Sequence, residues 1–125
     1  MTSAPHPLMI LVVGPYRAGT GDDPALLEAN VRAMDRAALT LFRAGHLAVT
    51  GEALALPLVR AAGSTGPGDA VFDEIFHPLA ERLLERCDAV LRIGGPSKGA
   101  DRMTEVARTR GLDVYTGIDD IPAAR

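Results

Sequence analysis

The chain has no tryptophan, a single cysteine and few aromatic residues, 4% of the whole. So small an aromatic complement is poor equipment for stacking successive bases of a single strand. The lone Cys87 excludes an internal disulfide framework and a cysteine-rich zinc site. Its place just before an apolar run reads as a small buried filler. Positive charge is also short. The formal net charge is −3, which argues against a surface built to hold a nucleic-acid polymer. No apolar run approaches the ~20 residues of a membrane span. The first such run, Leu8–Val13, stops at Gly14-Pro15 and has neither a basic leader nor a cleavage pattern. The cytoplasm is the default expectation, with no membrane partner.

What is present fits one globular domain over residues 1–125, with 47% hydrophobic and 23% charged residues. Residues 1–7 read as a frayed leader. Leu8–Val13 is a β-favouring run, apolar throughout, as in a strand buried on both faces. After the polar loop GPYRAGTGDD, Asp22 or Asp23 is placed to cap a helix with Pro24 in its first turn. Leu27, Val31, Met34, Ala38 and Leu41 form its apolar stripe, and Gly45 ends it. His46–Thr50 reads as a second strand. Residues 52–62 are apolar but interrupted by Pro57, so a short helix or irregular cover is expected.

Residues 63–69, GSTGPGD, read as a flexible loop within the domain. A helix is expected from Ala70 to Arg86, interrupted near Pro78. Asp88–Ile93 is a third strand, residues 100–110 a helix ended by Gly111, Val114–Thr116 a fourth strand, and Ile118–Arg125 a tail. This alternation predicts an α/β fold: a three-layer sandwich with a mostly parallel sheet in the order 2-1-3-4. Strands 1 and 3 are then neighbours, and ligands in such sheets sit beyond the carboxyl ends where the winding reverses. Those ends carry GPYRAGTG and GGPSKGA, so the two loops should face one crevice.

In the first loop, Gly14 lets backbone approach a ligand, Tyr16 offers a ring and a hydroxyl, and Arg17 offers a fork for phosphate or carboxylate. The alternative is a turn in which Tyr16 packs on the loop and Arg17 is solvated. In the second loop, Gly95, Ser97, Lys98 and Gly99 precede a helix N-terminus, which favours an anion. The alternative there is a tight connection. The loop is neither a P-loop nor GxGxxG. Acidic groups near the crevice are Asp101, Glu105, Asp73, Glu74 and Glu52. His46 and His77 have no third partner at metal-ligand spacing, so no metal is expected. Ser97 has no histidine at a recognisable offset and no G-x-S-x-G elbow.

The series of an N-terminal strand ending GPY, a long helix, AGH, ERCDAVLRI, a Ser-x-Gly turn and RTRGLDVY resembles the nucleoside 2-deoxyribosyltransferase-like superfamily, most of all its small bacterial members. The match runs from about Met9 to Pro122 and rests on order and spacing. It implies a Rossmann-like sandwich and a nucleoside or nucleotide ligand. It also implies N-glycosidic chemistry through a glutamate nucleophile, no metal or organic cofactor, and a homo-oligomer. The helix residues Leu26, Phe42, Ile75 and Phe76 are either a subunit face or sheet cover. The glutamate of the family falls six residues after Ser97 and eight before Gly111, where this chain has Met103. A second family acid falls eight residues before Asp88, at Ala80. Asp101 or Glu105 is left as a rebuilt acid, if a change at the helix start re-aims it, since two positions on a helix turn a side chain by roughly 200°. The rival expectation is a nucleotide sensor or structural module without catalysis.

Overall fold

The computed structural model describes residues 6–124. Most of the expected leader, residues 1–5, lies outside the described residues, as does residue 125. Four strands, β1 (Met9–Val13), β2 (Leu47–Thr50), β3 (Ala89–Arg92) and β4 (Asp113–Tyr115), form one sheet in the order β2-β1-β3-β4. Every pairing is parallel, with Ile10 opposite Ala48 on one side and Ala89 on the other.

The helices are α1 (Pro24–Arg43), α2 (Gly51–Ala61), α3 (Ala70–Leu84) and α4 (Lys98–Thr109), followed by a short 3-10 turn at Ile118–Asp120. The two-residue period of β1 divides the core between the sheet's faces. Ile10 and Val12 pack with Met34 and Leu41 of α1. Leu11 and Val13 pack with Leu84 of α3 and with Met103 and Ala107 of α4. Cys87 belongs to the second cluster, and burial pushes its thiol up to about 11. No helix among the described residues is long and apolar enough to cross a membrane.

Local signals explain most boundaries. Asp23, not Asp22, caps α1 by accepting from the Ala25 N–H. Thr50, Asp69 and Ser97 cap the other three helices in the same way. Of the two alternatives for residues 52–62 the structure has the short helix, which runs through Pro57; the expected break near Pro78 is corrected, because α3 runs unbroken through it. Each proline removes one N–H, and the residues four positions back, Ala53 and Glu74, lie on exposed stretches of their helices, where a carbonyl without its helical donor costs least. Helix α4 starts at Lys98, two residues earlier than expected. The 63–69 loop is tied by Asp69, whose carboxylate accepts from the Ser64 hydroxyl, the Thr65 N–H and the Phe72 N–H.

Candidate functional site

The carboxyl ends of β1 and β3 adjoin. The Ile93 N–H donates to the Val13 carbonyl at 2.9 Å. Glycine is required here for space: a Cβ on Gly14 would lie 3.1 Å from the Ile93 carbonyl oxygen. Gly94 has a φ of 79°, and a Cβ there would come within 2.7 Å of Pro15. The two loops therefore pack on one another at their roots and diverge above. Arg92 organises the turn after β3, donating to the Ile93 and Gly95 carbonyls and pairing with Asp101 at 3.2 Å.

Between the loops lies a cavity of about 630 Å³, a volume suited to a small organic ligand. Leu11, Val13 and Gly14 of the β1 end, and Met103 and Ala100 of α4, contribute to its lining. One wall is aromatic. Tyr16 and Phe76 stack at 5.3 Å between centroids, and Phe76 and Phe72 at 4.6 Å. Opposite the β3 end, Ser97, Lys98 and Gly99 supply the N-terminus of α4. The Ser97 hydroxyl accepts from the Ala100 N–H, leaving those of Lys98 and Gly99 without a helical partner.

On the far side, after β2, stands Glu52. It is 7% exposed, lines the cavity, and its Oε2 has no hydrogen-bond partner. Burial pushes its carboxyl up to about 7, against the pull of its own backbone N–H, and the charge of Asp35 on α1 adds to the rise. Burial also raises the Tyr16 hydroxyl, with the charge of Glu52 as the second cause.

Of the residues singled out in the sequence, the cavity brings together Gly14, Tyr16, Arg17, Ser97, Lys98 and Gly99. Gly95 lies outside its lining, its carbonyl bound to Arg92. The Arg17 fork is already engaged. Nε meets Asp22 Oδ1 at 2.9 Å, Nη2 meets Oδ2 at 3.0 Å, and the guanidinium lies 5.9 Å from the Phe72 ring centroid. Asp101 and Glu105 are both outside the cavity and exposed, paired with Arg92 and with Arg108. Because α4 is helical from Lys98, no irregular start re-aims either acid. Met103 faces inward and is packed in the core.

Among the described residues, no three His, Cys, Asp or Glu side chains are gathered as for a metal ion. His46 is buried in a structural role: Nδ1 accepts from the Leu8 N–H, so Nε2 carries the proton and donates to the Pro122 carbonyl.

Sequence reasoning placed Glu52 near the crevice with no rank above its neighbours. The signal that distinguishes it is position: a charged residue one step inside a Thr-capped helix, directly after a strand next to β1, in an otherwise apolar run. The roles of Phe72, Phe76 and Arg92 were not foreseen. No protein-family model matches the chain, and no curated protein matches it significantly.

Proposed function

We propose that the cavity binds a nucleoside or nucleotide. The observation that carries this reading is the two-ended lining. The Tyr16–Phe76 wall suits a planar heterocycle. The α4 N-terminus, with the free N–H groups of Lys98 and Gly99, suits sugar or phosphate oxygens. Two strand spacings, about 10 Å, separate β2 from β3 in a sheet of this order, comparable to the distance from a base to its 5′-phosphate. The resemblance to nucleoside 2-deoxyribosyltransferase-like proteins supports the same ligand class. Residue 103 offers a thioether rather than a carboxylate, so glycosyl transfer through that position is not part of the proposal.

The test is calorimetric titration with nucleosides and their 5′-monophosphates, alongside chromatography for released base. Binding without release supports a binding or sensing role. Binding with release makes the protein an N-glycoside hydrolase. No binding by any of these compounds, at millimolar concentration and between pH 6 and 8, sinks the reading. We also read the exposed Leu39 and Phe42 of α1, with Leu47 on the edge strand β2, as the face that joins a second copy; light scattering gives the mass directly.

A further inference from the structure

Glu52 is costly where it stands. A carboxyl taken out of water with an unpaired oxygen loses hydration that nothing in the described protein replaces. Groups kept in that state inside a cavity are candidates for contact with a ligand. The question is which chemistry would satisfy it.

The surroundings favour donors over acceptors. Asp35 on α1 bears on Glu52, and Asp22 bears on the nearby Tyr16 hydroxyl against Arg60 of α2 and Arg17, so at this end the acids Glu52, Asp35 and Asp22 outnumber the two cations. The one cation on the adjoining loop, Arg17, is neutralised by Asp22. The other end, at Lys98 and the α4 N-terminus, has the opposite polarity. A ligand lying across the cavity therefore approaches the Glu52 carboxyl with its ring edge, a turn of the carboxyl being needed to bring the covered Oε2 to it, and meets N–H donors at its oxygen-rich end. A carboxylate has two acceptor oxygens. The ring edge that matches it presents two adjacent N–H donors. Among the common bases that edge belongs to guanine, through N1–H and the exocyclic amine. Hypoxanthine has only the first, and adenine places an acceptor at N1.

We infer that Glu52 is the specificity-determining group of this cavity and selects a guanine-type edge, two neighbouring N–H donors on a planar ring, over adenine and hypoxanthine. This rests on the nucleotide reading above and adds to it the identity of the base. Glu52 binds as the carboxylate, so the ligand must displace its proton. Affinity then follows the ionised fraction of Glu52 and rises as pH increases through about 7. The other charged or titratable groups around the cavity are Tyr16, Arg17 and Asp22 on the β1–α1 loop, Asp35 on α1, Arg60 on α2, Asp73 and His77 on α3, and Lys98 on α4.

The experiment titrates GMP, IMP and AMP into the protein at pH 6 and pH 8, and repeats the series with Glu52→Gln. The expected result is GMP tighter than IMP and AMP by about tenfold or more at pH 8. GMP affinity should rise roughly tenfold from pH 6 to pH 8. In Glu52→Gln, whose amide is one acceptor and one donor, both the preference and the pH dependence should disappear. Because the pH series uses the unmodified chain, the inference stays testable even if that variant folds poorly. Binding of all three nucleotides with equal affinity, or GMP affinity that falls with pH, overturns this inference and leaves the nucleotide reading standing. No binding by any nucleotide overturns both.

Discussion

Gly51 and Ala80 meet where α2 crosses α3: a Cβ added to Gly51 would lie 3.4 Å from the Ala80 Cβ. That approach seats the first turn of α2 against α3 and holds Glu52 in the cavity wall, which both helices share. Ala80→Leu would force three more carbons into the contact. Overpacking of this kind costs about 2 kcal/mol. Urea denaturation should register the loss, and the thermal shift given by a bound nucleotide should shrink. Stability and ligand response both unchanged would mean that the α2–α3 contact is loose.

Glu52 also gives the fold a pH dependence. Its carboxyl rises from an ordinary 4.5 to about 7 in the folded chain. Between those values the unfolded chain has ionised while the folded chain holds its proton. The folded state therefore keeps its full stability below about 4.5 and loses it as pH rises through 7, by about 3 kcal/mol in all. Denaturation curves for Glu52→Gln should be flatter over this window and show a more stable protein at pH 8. Parallel curves for the two proteins would show that the carboxyl is hydrated in solution.

Met103 occupies the position where the family resemblance expects a carboxylate, and it is buried among Leu11, Val90 and Ala107. Met103→Glu places an ionisable group in that cluster with no partner. The cost expected is about 3 kcal/mol at pH 8 and less at pH 5, where the new carboxyl is protonated. Retained stability at pH 8, combined with base release from a nucleotide, would show instead that the position is still tuned for a nucleophile.

The strand ends and their order were legible because each strand is a short apolar run stopped by glycine or proline, and the helices between them dictate right-handed crossovers. Gly14 announced itself for the same reason. Glu52 did not, because the α3 helix that packs beside it, with Ala80 against Gly51, comes from far along the chain. Arg17 read as a free fork because its partner, Asp22, is brought to it by the turn through Gly19 and Gly21, both at positive φ. Pro78 reads as a helix break and Pro57 leaves helix and irregular cover both open, since sequence alone does not say whether the residue one turn earlier is exposed.

His46 ties three separated segments, accepting from the Leu8 N–H at 3.0 Å and meeting the Pro122 carbonyl at 2.7 Å. His46→Phe keeps a ring in the space and leaves both backbone groups unpaired. Each such group costs roughly 1–3 kcal/mol, so a loss of about 2–6 kcal/mol is expected. Hydrogen exchange at the Leu8 amide should accelerate by more than at the other β1 amides. Uniform acceleration along β1 would show only global destabilisation and would remove His46 from this tying role.

The Arg17–Asp22 pair sets how much free cation the ring end of the cavity holds, Lys98 standing at the other end. Both side chains are partly exposed, so the pair itself stabilises the fold little. Asp22 sits at a φ of 61°, where asparagine is among the better tolerated residues. Asp22→Asn should therefore fold normally while releasing half of the fork and removing a negative charge beside it. Because Arg17 stands at the ring end, the phosphate at the α4 N-terminus feels the change only as a loss of repulsion: a 5′-monophosphate should bind about twofold tighter, and the gain should fade as salt is raised. The matching nucleoside, which lacks the phosphate, should bind as before. An equal gain for both ligands would place Arg17 on the ring rather than on the phosphate, and no gain for either would leave the guanidinium as a strut between the loop and Phe72.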